Sequence, residues 1–154
     1  MLGAPGSGKT TVTPELRRRL PAWTVVDWDA FIDAATALAG CDIRTSPETW
    51  PSYRSLVRAV VGSIEPHPTV LLGVCTPGEL PGWPITAWVL LDCSDHERAQ
   101  RLAAHRSRRE IDSAIDDARR YRSYDFPVVD TTGRSLEEVA TALADLISTV
   151  DGIG

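Results

Sequence analysis

Four short apolar runs recur along the chain: Thr24–Asp27 (TVVD), Thr69–Cys75 (TVLLGVC), Ala87–Asp92 (AWVLLD) and Phe126–Asp130 (FPVVD). Each is rich in aliphatic residues. The second is apolar without a break, as a strand buried on both faces requires. Pro127 belongs at the start or edge of its strand, because it has no amide proton for the ladder. Between the runs the spacing turns helical. A helix from Gly8 to about Leu20 follows a glycine-rich loop and stops before Pro21. Pro14 lies inside it and predicts a kink. A shorter helix is expected over Ala30–Leu38. Ser46-Pro47 sets a cap and a first-turn proline ahead of a helix to about Ser63. Ser94…Glu97 and Ser135…Glu138 read as capping boxes. The first opens a helix to about His105. The second opens a C-terminal helix with Leu136, Val139, Leu143, Leu146 and Ile147 on one face. Strand–helix alternation of this kind predicts an α/β fold of three layers. A parallel sheet has helices on both faces and ligands at the carboxyl ends of the strands. The length of 154 residues fits a single domain, 1–154.

Composition narrows the function classes. Hydrophobic residues at 43% and charged residues at 24% exclude a disordered chain. No apolar run is long enough to cross a bilayer, and the N-terminus lacks a basic-then-apolar leader, so no membrane partner and a cytoplasmic location are expected. The net charge is -5. Arg17-Arg18-Arg19 is the one tight basic cluster, and it sits where it complements the end of a helix, so no nucleic-acid partner is expected. Cys41, Cys75 and Cys93 are widely spaced and odd in number, which reads as free thiols rather than a disulfide framework or a zinc site. Of the 16 basic residues, Lys9 is the only lysine. A compact ammonium on a flexible stem can follow a phosphate chain inside a narrow loop, where a planar guanidinium is too bulky.

That lysine lies in Gly3-Ala-Pro-Gly-Ser-Gly-Lys9-Thr10, a full match to GxxxxGK[ST]. Glycines let successive amides turn inward around a phosphate, the helix start adds positive potential, lysine spans the β- and γ-phosphates, and the threonine hydroxyl ligates Mg²⁺.

The stretch GAPGSGKTT resembles the loop of the P-loop small-molecule and nucleotide kinases, which include shikimate kinase, adenylate kinase and chloramphenicol phosphotransferase. The resemblance extends over nearly the whole chain as an ordered set of segments. It implies a P-loop NTPase fold with a five-stranded parallel sheet in the order 2-3-1-4-5. It also implies ATP bound by Gly3, Pro5, Gly6, Ser7, Gly8, Lys9, Thr10 and Thr11. Only Met1 and Leu2 precede the loop, so either the first strand is truncated or the true start lies upstream. No [NT]KxD guanine motif is present, which favours ATP over GTP.

Asp27-Trp28-Asp29 follows the second strand of that scheme. Phosphoryl transfer needs a carboxylate to support Mg²⁺ and often another to take the hydroxyl proton. The third strand ends Gly73-Val-Cys75-Thr-Pro77 without an acid, unlike GTPases, ABC proteins and AAA+ motors. By resemblance to the shikimate-kinase branch, Asp27 joins Thr10 in supporting the metal and Asp29 meets the acceptor hydroxyl, or the two roles are exchanged. Alternatively Asp29 simply caps the next helix. An arginine-rich stretch follows strand four. Resemblance makes approximately residues 101–122 a lid, with Arg101 near adenine and Arg106 near the phosphates as a catalytic group beside Lys9 and Asp29. The remaining arginines have Asp112, Asp116 and Asp117 at helical spacings to pair with. Thr132 and Gly133 resemble the family's turn against adenine.

Trp28, Phe31, Trp50, Tyr53 and Arg54 lie where the family inserts its acceptor-binding helices, and Thr76 and Glu79 follow strand three at the ligand end. Aromatic walls with a few polar anchors suit a small planar or hydrophobic acceptor, although each aromatic is equally readable as core. The expected activity is ATP- and Mg²⁺-dependent phosphorylation of a small-molecule hydroxyl by a monomer or homodimer. A nucleoside monophosphate kinase, with Arg44, Arg54 and Arg58 on the acceptor phosphate, is one alternative. A nucleotide-binding module or ATPase without a phosphoryl acceptor is another.

Overall fold

The computed structural model describes residues 1–64, 66–85 and 87–151. Its helices are α1 (Lys9–Arg19), α2 (Ile32–Ala39), α3 (Trp50–Ser63), α4 (Asp95–Leu102), α5 (Arg108–Arg122) and α6 (Leu136–Asp151). Its strands are β1 (Thr24–Asp27), β2 (Thr69–Leu72), β3 (Leu90–Asp92) and β4 (Val128–Asp130). A 3₁₀ turn over Trp28–Phe31 joins β1 to α2. No described helix is long and apolar enough to cross a membrane.

The strands form two parallel pairs, β1 with β2 and β3 with β4. Leu2 stands between the pairs and makes parallel bridges to Gly73 on one side and Leu90 on the other. Its amide donates to the Val89 carbonyl, and its own carbonyl accepts from Leu91. The expected continuous five-stranded sheet is therefore present as two two-stranded sheets joined by one residue. Three strands are shorter than their apolar runs. β2 ends at Leu72 because Gly73 turns its amide to Met1 and its carbonyl to Gly3. β3 and β4 pair in register only from Leu90 with Val128 to Asp92 with Asp130. Pro127 sits just ahead of β4, where its carbonyl accepts from Leu90.

Alternate residues of the strands face opposite layers. Val25, Val70, Leu72, Leu91 and Val129 pack on Val12 and Leu16 of α1 and on Val139, Leu143 and Ile147 of α6. Leu2, Ala4 and Leu90 pack on Ala118 and Tyr121 of α5 on the other side. A separate cluster joins Trp28, Ile32, Tyr53, Val57 and Leu80. Helix α1 continues through Pro14, which faces solvent, and the Thr13 hydroxyl donates to the Lys9 carbonyl at 2.8 Å. The Ser135–Glu138 box forms in both directions. The Ser94 box forms by half: Ser94 Oγ accepts from the Glu97 amide, but the Glu97 carboxylate turns away to Arg101 and to the Gly133 amide. Full boxes also occur at Ser107–Glu110 and Thr76–Glu79.

Candidate active site

The loop from Gly3 to Gly8 links Leu2 to α1. Gly6 and Gly8 adopt φ of +80° and +96°, a left-handed backbone that side-chain-bearing residues avoid. Gly3 is required for a different reason. A Cβ there would lie 2.6 Å from Ser7 Oγ and 2.8 Å from the Leu91 carbonyl oxygen. Ser7 is wholly buried, and its hydroxyl has no partner among the described residues. Such a group is costly unless a ligand satisfies it, and a phosphate oxygen is the natural partner inside a loop of this shape.

Lys9 folds back over the loop. Its ammonium donates to the Gly3 carbonyl and, at 3.3 Å, to the Ala4 carbonyl. Burial lowers its pKa to about 8, against the upward pull of Asp29 and Asp27, while Arg98 adds to the lowering. The charge is thus held where an anion would relieve it.

Two arginines of α4 fix the far side of the loop. Arg98 is fully buried and donates to the Pro5 carbonyl and to Asp92 at the end of β3. Arg122 of α5 binds the second oxygen of Asp92 and also the Cys93 carbonyl. Arg101 donates to the Gly6 carbonyl at 3.0 Å and to the Thr131 hydroxyl at 2.9 Å, and Thr131 in turn reaches the Ser7 carbonyl at 3.3 Å. Thr132 Oγ1 accepts from the Ser94 amide, and the Gly133 amide donates to Glu97. The turn at Thr132-Gly133, the start of α4 and the phosphate loop are therefore one hydrogen-bonded unit. The sequence offered no sign that Arg98 would be buried, since it stands among many exposed arginines. The acid closing the run AWVLLD was the available clue, because an aspartate at the end of a buried strand needs a partner.

Asp27 ends β1, and its carboxylate accepts from the Asp29 amide at 3.0 Å. The cap of the following turn is therefore Asp27, not Asp29. The Asp29 carboxylate makes no hydrogen bond or ion pair among the described residues. Although Asp29 lies at the surface, the surrounding protein raises its pKa by desolvation, the Asp27 charge raises it further, and Lys9 and Arg44 oppose the rise. Among the described residues no three His, Cys, Asp or Glu side chains cluster to hold a metal. Thr10 and Asp27 offer a sparse oxygen set beside Lys9. That suits Mg²⁺, which takes one or two carboxylates and completes its shell with substrate phosphates and water.

The other expected residues divide. Arg106 is exposed and pairs with Glu110 at 2.8 Å. Arg108, Arg119 and Arg120 pair with Asp112, Asp116 and Asp117 along α5. Much of the stretch assigned to a lid is packed structure, since Ala114, Ala118 and Tyr121 are buried. Trp28 and Tyr53 are 0% and 2% exposed, so they are core rather than open walls. Their rings meet edge-on at 5.4 Å, and the Tyr53 hydroxyl donates to the Trp28 carbonyl. Trp50 is half-buried edge-on against Tyr53, and Phe31 is half-buried beside the same cluster. Thr76 and Glu79 satisfy each other, with the Thr76 hydroxyl and amide both donating to the Glu79 carboxylate. Arg54 is half-buried and has no ion-pair partner among the described residues. Arg44 pairs with Asp33, and Arg58 donates to the Gly82 carbonyl.

Residues 1–122 match a family described as AAA domain. The chain belongs to that family. The AAA domain match runs from the phosphate loop through Arg122 and bears out the resemblance to P-loop kinases carried by Gly3–Thr11. No curated protein matches the chain in sequence. Solved structures do match in fold. A shikimate kinase from Acinetobacter baumannii in complex with shikimate is 19% identical, with a TM-score of 0.67, covering 96% of this chain and 90% of that one. A gluconokinase from Sinorhizobium meliloti is 18% identical, with a TM-score of 0.65, covering 99% and 92%. A shikimate kinase from Aquifex aeolicus is 20% identical, with a TM-score of 0.62, covering 99% and 96%. The AAA domain chain thus has an α/β P-loop fold over essentially its full described length.

Proposed function

We propose that the protein is a kinase that transfers the γ-phosphoryl group of ATP to a hydroxyl of a small molecule. The observation that carries this reading is the placement of Lys9. Its ammonium donates to the Gly3 and Ala4 carbonyls of the phosphate loop, and the charges of Asp29 and Asp27 act on it. The charge that we assign to the phosphates and the carboxylate that we assign as base are thus close enough to act on each other. The fold shared with a gluconokinase and two shikimate kinases supports the same reading.

In the reaction, the acceptor hydroxyl oxygen bonds to the γ-phosphorus, the bond to the β–γ bridging oxygen breaks, and ADP leaves. Asp29 takes the hydroxyl proton, for which its raised pKa suits it. Lys9, the loop amides and the Ser7 hydroxyl hold the phosphates, and Arg101 keeps Gly6 in place. Mg²⁺, held by Thr10 and Asp27, would neutralise phosphate charge. Thr132 and Gly133 stand beside the loop on the side we assign to adenine. Arg106 serves only after residues 103–107, the loop between α4 and α5, shift, and that loop is the part of residues 101–122 that we retain as a lid. We read the sheet as the order 2-3-1-4-5, with Leu2 in the place of the first strand.

A phosphorylated acceptor is less well supported. Of the three arginines available to grip an acceptor phosphate, Arg44 and Arg58 are already engaged, and Arg54 alone is free among the described residues. The test is ADP release coupled to a recorder reaction, screened over alcohols, sugars, nucleosides and monophosphates. Turnover on an unphosphorylated alcohol is the expected result. Turnover on monophosphates alone, or tight MgATP binding with no transfer to any acceptor, overturns it.

A further inference from the structure

Leu2 bridges the two strand pairs, and past Met1 the gap between those pairs opens into a cavity of about 380 Å³. Residues 69–71 form one side of it and residues 87–89 the other. Leu2 alone spans the gap at its inner end, so the sides stand two strand spacings apart, about 9–10 Å. Apolar side chains close the cavity above and below. Trp23 and Ile147 come from the cluster beneath α6, and Leu80 and Trp83 from the cluster around Trp28. No Asp, Glu, Lys or Arg lines it among the described residues.

Backbone groups point into the cavity from both sides. The Leu71 carbonyl accepts from the Met1 amine at 2.7 Å, and the Val89 carbonyl accepts from the Leu2 amide at 2.8 Å. In an extended chain a residue's amide and carbonyl point the same way, and the residue two places along repeats the direction. The Leu71 and Val89 amides and the Thr69 carbonyl therefore face the gap. β1 uses the alternate groups of β2, since the Thr24 amide donates to the Pro68 carbonyl. Neither amide nor the Thr69 carbonyl has a hydrogen-bond partner among the described residues. The Met1 amine is a third donor at the inner end. Burial pushes its pKa down to about 5, and Lys9 adds to the lowering, so an anion beside it would offset that cost.

We propose that this cavity binds the carboxyl end of an extended apolar peptide, lying parallel to β2 and β3 with its terminal carboxylate on the Met1 amine and the amides of Leu71 and Val89. The site is separate from phosphoryl transfer. A strand is the shape that fits between two strand edges this far apart, and a peptide amide supplies the donor that the Thr69 carbonyl lacks. Successive side chains of the guest point to opposite faces, and both faces are apolar, so each of its last three residues is uncharged. A charged side chain there would lose its hydration without a partner.

The test titrates the unmodified protein with four probes: the peptide acetyl-Lys-Ser-Gly-Val-Leu-Val as its free acid, the same peptide as its carboxyl-terminal amide, a version with Glu in place of the Leu, and octanoate. Binding is read by calorimetry and by tryptophan emission, because Trp23, Trp83 and Trp88 line the cavity. The free acid is expected to bind, shift the emission to the blue and raise the melting temperature. The amide should bind at least about tenfold more weakly, since it loses the charge-assisted bonds at the inner end. Octanoate keeps the carboxylate but has no amide for Thr69, and it should also be at least about tenfold weaker. The Glu version should not bind. Protein that unfolds cooperatively yet gives no response to the free acid overturns the inference. Equal binding of acid and amide, or octanoate binding as tightly as the acid, overturns it too. A longer form of the chain whose own residues ahead of Met1 fill the slot and exclude the peptide has the same consequence. None of these outcomes bears on phosphoryl transfer, which ADP release measures separately.

Discussion

The Arg98 guanidinium lies wholly buried between the Asp92 carboxylate and the Pro5 carbonyl, so the end of β3 supports the phosphate loop through one side chain. Asp92 also receives Arg122, which ties α5 to the same point. Asp92→Asn leaves a buried guanidinium without its counter-charge. A loss of about 3–5 kcal/mol in denaturant unfolding is expected. Arg98→Met removes the charge together with the bond, so its cost in stability should be smaller. It still frees the Pro5 carbonyl, and MgATP affinity should fall in calorimetry.

Gly3 and Ser7 make an opposed pair of predictions. Gly3→Ala forces a methyl group against Ser7 Oγ and the Leu91 carbonyl. A loss of about 1–3 kcal/mol is expected, along with weaker MgATP binding. Ser7→Ala deletes a buried hydroxyl that has no partner among the described residues. Stability should stay level or rise, while MgATP affinity drops about tenfold. Thermal unfolding with and without MgATP separates the two effects.

The elements were legible because their signals are local. The TVVD run gave β1 at its observed bounds, and the Ser135 box gave the start of α6. Strand lengths were not legible, since they depend on pairing. Thr69–Cys75 is apolar throughout, yet Gly73 spends its amide and carbonyl on Met1 and Gly3 and ends the ladder. In the site, the loop could be read residue by residue because glycine geometry and a lone lysine are written in the sequence. The acceptor side could not. Trp28 and Tyr53 carry the same residue signal whether they line a cleft or fill a core, and only packing decides. Arg98 was hidden for the same reason, since fourteen other arginines share its chemistry.

Lys9 should show opposite effects on stability and on binding. Burial takes its pKa from 10.5 to about 8, so the unfolded chain holds the proton more tightly than the folded one. Below about pH 8 both states are charged, and the folded state bears the full cost. Between pH 8 and the unfolded value, the folded lysine loses its proton first and the cost fades. Lys9→Met should therefore be at least as stable as the parent at pH 7, and its advantage should shrink as pH rises toward 10. MgATP binding by the parent should weaken above pH 8, by no more than about tenfold per pH unit, because the phosphates require the ammonium. In Lys9→Met, turnover should be lost at every pH.

Asp29 has the sharpest pH signature of the site. Desolvation and the neighbouring Asp27 raise its pKa, and the attraction of Lys9 and Arg44 only partly offsets this. A carboxylate must be ionised to accept a hydroxyl proton. The acid limb of kcat should therefore lie above the ordinary carboxylate range, and Asp29→Asn should abolish that limb while reducing kcat about 10²–10⁴-fold. Because the side chain makes no hydrogen bond among the described residues, the substitution should leave MgATP affinity unchanged. The stability effect has the reverse sign. A raised carboxylate pKa means that the folded state takes the proton more readily, so the ionised form destabilises the fold above that pKa and stops doing so as the pH falls through it. Asp29→Asn should thus unfold at a higher temperature than the parent at pH 7, with the difference vanishing in acid. A variant that loses turnover and stability together, or keeps full turnover, would remove Asp29 from the role of base.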